Sequence, residues 1–186
     1  MKFNVSTRLG FGFAFILALS TTLTGLSTFQ VTYIKDTLSR INDVNNIKTR
    51  YAINFRGSVH DRAIVLRDIM LITDDQKIPV EIEKIKKLTE SYSDSAEKLD
   101  RLFASRDDIT PEERNALAKI KDVEAKTLPL VTQAVELRMN GQSSEALDLL
   151  LSQARPAFIE WLYSINQMID LEEGMSKLAA NQAYTV

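Results

Sequence analysis

The feature that most constrains this chain is a run of 26 consecutive uncharged residues, from Leu9 to Ile34. About 20 predominantly apolar residues are enough for one helix to cross a bilayer, so we expect the chain to span a membrane through residues 9–31. Lys2 and Arg8 precede the run without any acidic residue, which favours a cytoplasmic N-terminus. The sequence therefore predicts a cytoplasmic tip and transmembrane helix over residues 1–34, and a domain outside the cytoplasm over residues 35–186.

A cleaved signal peptide is the alternative interpretation of the same segment. Phe11 to Leu19 form a compact apolar run, and Ala18-Leu19-Ser20 has the small residues of a cleavage site. The second half of the run is rich in Ser and Thr, whose hydroxyls can bond to helix carbonyls and remain in lipid. Under either interpretation the residues after about position 32 leave the cytoplasm.

The remainder of the chain has the composition of an all-α domain. Residues 32–186 contain three Gly and four Pro, and they are rich in residues that favour helices. Helices are predicted over about 32–73, 78–105 and 111–140, with a fourth beginning near 143. Because the connections are short, these helices should form an antiparallel up-down four-helix bundle that continues the membrane helix.

Local signals support the predicted helix ends. Thr110-Pro111-Glu112-Glu113 is typical of a capping box, and Asn140-Gly141 is typical of a left-handed C-cap. Ser143 or Ser144 is predicted to cap the fourth helix. Pro129 and Pro156 fall inside helices, where mild kinks are expected.

Composition also excludes several classes of function. The absence of Cys and the presence of a single His exclude thiolate zinc sites, thiol nucleophiles and multi-histidine metal sites. Apart from Lys2 and Arg8, 21 basic residues stand against 25 acidic ones, so no nucleic-acid surface is expected. The motifs of haem and di-iron bundles are missing. We therefore expect no enzyme activity, no cofactor and no metal.

The first helix of the domain carries two apolar stripes separated by basic side chains. At about 100° per residue, the larger stripe contains Tyr51, Phe55, Val59, Leu66 and Ile69, and the smaller contains Ile53, Ile64 and Leu71. One stripe should face the core and the other a second copy of the domain. Arg56, His60 and Arg67 lie between the stripes and are called the cationic ridge. Asp61 and Asp68 are predicted to point away from it.

Further candidate binding residues follow from depth along the bundle. Residues can be counted back along each helix from the two turns that follow the first and third predicted helices. This count places Arg62, within the larger stripe, level with Arg155 and Thr89. Two arginines at one depth need a counter-anion, which a bound carboxylate would supply through bidentate hydrogen bonds. An internal carboxylate such as Glu90 or Glu160 is the alternative. The predicted ligand-binding residues are Arg56, His60, Arg62, Arg67, Thr89 and Arg155.

The chain also resembles a known family. A basic N-terminus, one span, the first-helix segment NFRGSVHDRAIVLRD (residues 54–68) and a last helix opening with ARPA (residues 154–157) resemble the periplasmic four-helix-bundle sensor domain of methyl-accepting chemotaxis proteins. The resemblance covers the whole chain. It implies a homodimer or higher homo-oligomer in the inner membrane, with a ligand held between helices one and four of two subunits by first-helix arginines. It also implies a second span, a HAMP linker and a signalling hairpin beyond Val186, through which cytoplasmic chemotaxis proteins would be contacted.

The predicted function is a chemoreceptor sensor domain that binds a di- or tricarboxylate such as malate or citrate and transmits the signal across the membrane. One alternative is a structural dimerisation stalk without a ligand, in which internal acids satisfy the arginines. Another is the sensor of a histidine kinase or a cyclase.

Overall fold

The computed structural model describes residues 4–184, so Lys2 of the basic flank and Val186 lie outside the described residues. Within that range the chain is helical and has no β-strand. The α-helices are α1 (Val5–Arg40), α2 (Asn46–Leu71), α3 (Ile78–Ser105), α4 (Pro111–Met139), α5 (Ser143–Leu149) and α6 (Arg155–Tyr184). A π-helical turn at Ile41–Asn45 joins α1 to α2, and another at Leu150–Ala154 joins α5 to α6. The predicted all-α class and the four-helix bundle preceded by an apolar helix are confirmed.

The first helix of the bundle is a direct continuation of the candidate membrane span. One uninterrupted helix of 67 residues runs over Val5–Leu71, and its most apolar window is long enough to cross a membrane and entirely unburied. Hydroxyls along this segment donate to carbonyls four residues earlier at 2.8–2.9 Å, as expected for polar groups in lipid. They belong to Thr21, Thr22, Thr24, Thr28 and Thr32.

Most of the predicted helix ends are confirmed. The Thr110 hydroxyl accepts from the Glu113 amide at 3.2 Å, and the Glu113 carboxylate accepts from the Thr110 amide at 2.7 Å. Gly141 has a φ of 78°, the left-handed value expected after α4. The predicted serine cap of the fourth helix is wrong, because Ser143 is already helical and Gln142 is the N-cap without a side-chain bond. The sharp turn at Gly141 lets the chain re-enter a helix one residue sooner than expected.

Pro156 is accommodated by the second π-helical turn. A proline inside a helix lacks the N–H and its ring conflicts with the carbonyl four residues before it, which here belongs to Ser152. The turn at Leu150–Ala154 covers that position, and π-helical turns open the backbone ladder locally. By contrast, α4 remains one continuous α-helix through Pro129.

Of the two apolar stripes of α2, the larger is the one that faces the core. Phe55, Val59, Leu66 and Ile69 are buried, together with Phe158, Trp161, Ile165 and Ile169 on one face of α6. The smaller stripe is largely uncovered, since Ile53 and Leu71 are 43% and 64% exposed. Ile64, the third member of this stripe, is partly buried. Thus α2 has one face in the core and a second apolar face that is largely uncovered within residues 4–184.

Two sets of polar contacts define the ends of the bundle. At one end Arg138 of α4 donates to the Ile72 carbonyl at 2.8 Å and to the Asp75 carboxylate at 2.7 Å. This contact places the turn after α2 beside the turn after α4, at the end remote from α1. At the other end Lys48 of α2 meets Glu113 of α4 and Glu172 of α6. The predicted antiparallel arrangement is therefore confirmed.

Candidate ligand-binding site

A cleft of about 400 Å³ lies between α2 and the helix formed by α5 and α6. Its lining residues are His60, Ala63, Ile64, Arg67, Leu150, Leu151, Arg155 and Phe158. They include three basic side chains and no acidic one, and the remainder are apolar. The floor is held rigidly, because the buried Phe158 ring stacks on Trp161 in the core at a centroid distance of 6.3 Å. The cleft thus combines a fixed apolar floor with basic residues on both sides.

Helix geometry places the basic groups of the cleft. His60, Ile64 and Arg67 follow one another at spacings of four and three residues, so they share one face of α2. Arg155 is the first residue of α6 and directly follows the π-helical turn, which supplies Leu150 and Leu151 to the lining. Such turns recur at functional sites in helical proteins. Except for Pro156, nothing in the local sequence indicated this contribution.

The basic residues of the cleft differ in how far the chain satisfies them. Arg67 pairs with the adjacent Asp68 at 3.0 Å, and His60 Nδ1 lies 3.4 Å from the adjacent Asp61 carboxylate. The prediction that these acids point away from the ridge is wrong, because neighbouring side chains can reach each other around the helix surface. The Arg155 side chain is exposed, and its guanidinium makes no hydrogen bond or ion pair with any residue in the range 4–184.

Arg56 lines a smaller cleft that adjoins the first. This second cleft, of about 330 Å³, shares His60 with the first and also contains Gly57, Leu162 and Asn166. Among the described residues the Arg56 guanidinium donates only one hydrogen bond, a long one of 3.5 Å to the neutral Asn166 side chain. The structure therefore brings Arg56, His60, Arg67 and Arg155 together along the groove between α2 and α6.

Arg62 lies in the core instead of the groove. It is 1% exposed, and its guanidinium carbon sits 4.9 Å from the Tyr92 ring centroid and 4.7 Å from that of Trp161. Its Nε donates to the Ser58 carbonyl at 3.3 Å, and its buried Nη2 has no hydrogen-bond partner within residues 4–184. The structure does not place Arg62 and Arg155 around one common anion.

Glu124 provides the negative charge near Arg62. The Tyr92 hydroxyl, beside the Arg62 guanidinium, donates to the Glu124 carboxylate at 3.0 Å, and burial raises the pKa of Glu124. The internal acid near Arg62 is thus neither of those that helix positions suggested. Glu160 pairs with Lys119 at 2.8 Å, and Glu90 is exposed.

Thr89 is not brought to the groove either. It is exposed on α3, and its hydroxyl donates to the Ile85 carbonyl one turn earlier at 2.9 Å. Equal depth along a bundle does not ensure proximity, because the cleft opens between α2 and α6 and receives no residue from α3.

Comparison with known families bears on this geometry. The family model described as a four helix bundle sensory module for signal transduction matches residues 2–186. The chain belongs to this family, the sensory modules of chemoreceptors. No curated protein matches the chain. The sensory module is a chemoreceptor sensor domain, and the apolar α1 fits its place in a membrane protein.

In the sensory module, the cleft lies between α2, which continues the candidate membrane span, and the antiparallel helix α6. α2 continues α1, and α6 runs back from the end of the bundle remote from α1 to the end that contains Lys48. Arg67 and Arg155 stand on these two helices on opposite sides of the cleft. An anion that pairs with both would link the helices directly, and a molecule with two acidic groups could do so without sharing one carboxylate.

Proposed function

We propose that this sensory module binds a small organic acid with two or more carboxylates, such as malate or citrate, and transmits its binding across the membrane for chemotaxis. The observation that carries the proposal is Arg155, a cation that lines the cleft with Arg67 and His60 yet has no partner within residues 4–184. Guanidinium groups bind carboxylates in bidentate geometry. A carboxylate ligand would supply the missing counter-charge.

The dimensions and lining of the cleft support a ligand of this class. A volume of about 400 Å³ falls within the range of small-molecule sites. Ile64, Leu151 and Phe158 provide apolar contacts for a short carbon skeleton. The Arg67–Asp68 pair presents little obstacle, because exposed ion pairs contribute roughly 0–1 kcal/mol.

The alternative of a ligand-free stalk fits only part of the geometry. It requires internal acids to satisfy the arginines, and Arg62 meets that requirement in part, because Glu124 lies near it although its Nη2 has no hydrogen-bond partner within residues 4–184. Arg155 and Arg56 do not, since the first is unpaired within the described residues and the second contacts only an amide. These two residues favour the binding proposal.

We further propose that a second copy of the module completes the site. Exposed apolar side chains border the groove on both helices: Ile53 and Leu71 of α2, and Leu151, Ile159 and Tyr163 of the returning helix. A second copy packed on this surface would cover them and enclose the ligand. The assembly we propose is a homodimer or a higher homo-oligomer, with residues 35–186 in the periplasm and α1 in the inner membrane.

Calorimetric titration of the full chain in detergent micelles with malate and citrate tests the binding proposal. Charged hydrogen bonds contribute roughly 1.5–3 kcal/mol each, so Arg155→Ala and Arg67→Ala should each weaken binding by about tenfold to a hundredfold. Arg101→Ala is the matched control, because Arg101 is an exposed arginine of α3 that pairs with Glu97. Absence of binding by every acid, or unchanged affinity in both cleft variants, would contradict the proposal.

Sedimentation of the same samples tests the shared site separately. If two copies form the site, the ligand binds only the assembled state and should shift the distribution toward the larger species. A monomer with and without bound acid would refute the shared site while leaving the assignment of the cleft intact.

A further inference from the structure

A buried charged cluster joins three helices at the membrane-proximal end of the bundle. Lys48 of α2, Glu113 of α4 and Glu172 of α6, here called the proximal triad, are all at most 2% exposed. The Lys48 ammonium donates to Glu113, and it lies 2.9 Å from a Glu172 oxygen. The triad lies about 28 Å along α2 from Arg67, so it takes no part in the cleft. It contains one cation and two carboxyl groups.

The two carboxyl groups have unequal surroundings. The Glu113 carboxylate accepts a hydrogen bond from the Thr110 amide at 2.7 Å in addition to its contact with Lys48. It lies in the first turn of α4, where the helix dipole favours an anion. Glu172 lies inside α6, and Lys48 is the only cation that pairs with it within residues 4–184. Both of its oxygens are buried without a well-formed hydrogen bond in the range 4–184. A proton bound by the triad would therefore be carried by the Glu172 carboxylate and not by Glu113.

The ionisation behaviour of the triad agrees with this asymmetry. Burial raises the pKa of Glu172 to about 7, and the neighbouring Glu113 charge adds to the effect against the opposing contribution of Lys48. Burial also disfavours the ionised form of Glu113, but Lys48 and the Thr110 amide outweigh it and hold its pKa below the ordinary value. The two carboxyl groups share the Lys48 ammonium, so a proton on Glu172 would lie beside the ionised Glu113.

Several other charged groups near this end have partners of their own. Before α2, Arg40 lies 3.9 Å from Asp108, and Asp43 accepts from Ser39 at 2.6 Å. On α6 itself Glu173 is exposed and lies 3.9 Å from Lys177. Lys48 of α2 and Glu113 of α4 are the ionisable groups that act most strongly on Glu172.

We propose that the proximal triad is a proton-operated latch: a proton held between Glu172 and Glu113, over Lys48, ties α6 to α2 and α4, and its loss to water loosens α6. With the proton bound, the charges of the three side chains sum to zero. Without it, a net negative charge is buried, which is unfavourable in a medium of low dielectric. The latch makes the position of the last helix sensitive to external pH, whatever ligand occupies the cleft.

Infrared spectroscopy of the full chain in nanodiscs tests whether the proton is bound. Between about pH 5.5 and about pH 8.5, one protonated carboxyl group should ionise with a midpoint near 7 in the wild type. The signal should be lost in Glu172→Gln and retained in Glu173→Gln, a matched control on the exposed side of the same helix. Glu124 is present in both variants, so its own titration does not confuse the assignment.

Spin-label distances test whether the proton acts as a latch. Because the chain has no Cys, the pair Arg50→Cys and Leu178→Cys, both at exposed positions, can report the separation of α2 and α6. The distance distribution should be narrow below the midpoint and broader above it, and narrow at every pH when Glu172→Gln is added. A distal pair, Leu71→Cys with Ser144→Cys, should not respond to pH.

The free energy of unfolding of the wild type should also decrease as pH rises. The pKa of Glu172 rises from an ordinary 4.5 to about 7 in the folded state, so its stabilising contribution is fully present below pH 4.5 and is lost as pH rises through 7. The urea midpoint should therefore shift downward over this range in the wild type and much less in Glu172→Gln. Glu113 has the opposite sign, and its contribution is lost only in more acidic solution.

Two outcomes would overturn the latch. One is a wild type in which no buried carboxyl group titrates near neutral pH. The other is a carboxyl group that titrates while the α2–α6 distances stay the same on both sides of its midpoint. Both measurements are made on the wild-type triad, so they decide the question even if Glu172→Gln fails to fold.

Discussion

At the scale of single residues, Arg62 is the least expected feature of the bundle. Its guanidinium is enclosed between the Tyr92 and Trp161 rings, and one of its nitrogens is unsatisfied in the described chain. We expect Arg62→Ala to lower the free energy of unfolding by about 2–4 kcal/mol, because it leaves a cavity between the rings. Arg62→Met should cost less than half as much, since it fills the space without burying a charge. Urea unfolding of the full chain in micelles measures both.

The same two variants distinguish a core arginine from a ligand-binding one. Since Arg62 does not line the cleft, Arg62→Met should change citrate affinity by less than about threefold, which corresponds to under 1 kcal/mol. Calorimetry beside Arg155→Ala provides the comparison. A loss of affinity in Arg62→Met equal to that in Arg155→Ala would show that Arg62 contacts the ligand after all, as the sequence suggested.

The sequence indicated that Arg62 points toward the core, but not which residues surround it. Its position within the larger stripe pointed toward the core. Its neighbours Tyr92, Glu124 and Trp161 come from three other helices, and a helical wheel contains no information on how those helices are rotated. The grouping of Arg56, His60 and Arg67 could be predicted because all three belong to one helix, whereas Thr89 required the unknown placement of α3.

At the scale of helices, the N-terminus of α4 is the helix end that local contacts determine most strongly. The Thr110 hydroxyl satisfies an amide that the first turn would otherwise leave without a partner. We expect Thr110→Ala to lower the free energy of unfolding by about 1 kcal/mol and Thr110→Ser to cost much less. Thr132→Ala is the control, because the Thr132 hydroxyl bonds only to its own helix at Leu128. Equal losses in the alanine variants at 110 and 132 would contradict the role of the cap.

The helix ends that sequence predicted well are those fixed by local chemistry. Thr110 and Glu113 lie three residues apart, and Gly141 adopts the left-handed conformation because it has no side chain. The π-helical turn at Ile41–Asn45 has no such local cause, since the segment contains neither Pro nor Gly. It lies where the helix passes from the exposed α1 into contact with α6, so packing between helices and not local propensity accounts for it.

At the scale of the whole molecule, the continuous helix Val5–Leu71 links the cleft to the candidate membrane span without an intervening loop. His60 and Arg67 are on the same rod as the candidate span, and Arg155 begins the helix that returns past the proximal triad. A ligand that draws α2 and α6 together at the cleft, and a proton that ties them near the membrane, would act on the same pair of helices. The overall antiparallel order was predictable because the connections are too short for any other arrangement.

The orientation of the molecule in the membrane is the last prediction. The uncharged span with basic residues before it favours a cytoplasmic N-terminus and an external bundle. Because the chain has no Cys, single variants Gln142→Cys, at the exposed distal turn, and Ser6→Cys, before the span, can be labelled with an impermeant maleimide in spheroplasts. Gln142→Cys should react in intact spheroplasts, and Ser6→Cys only after lysis. The reverse pattern would place the bundle in the cytoplasm, and an intact mass short of the first 20 residues would favour the cleaved signal peptide over the anchor.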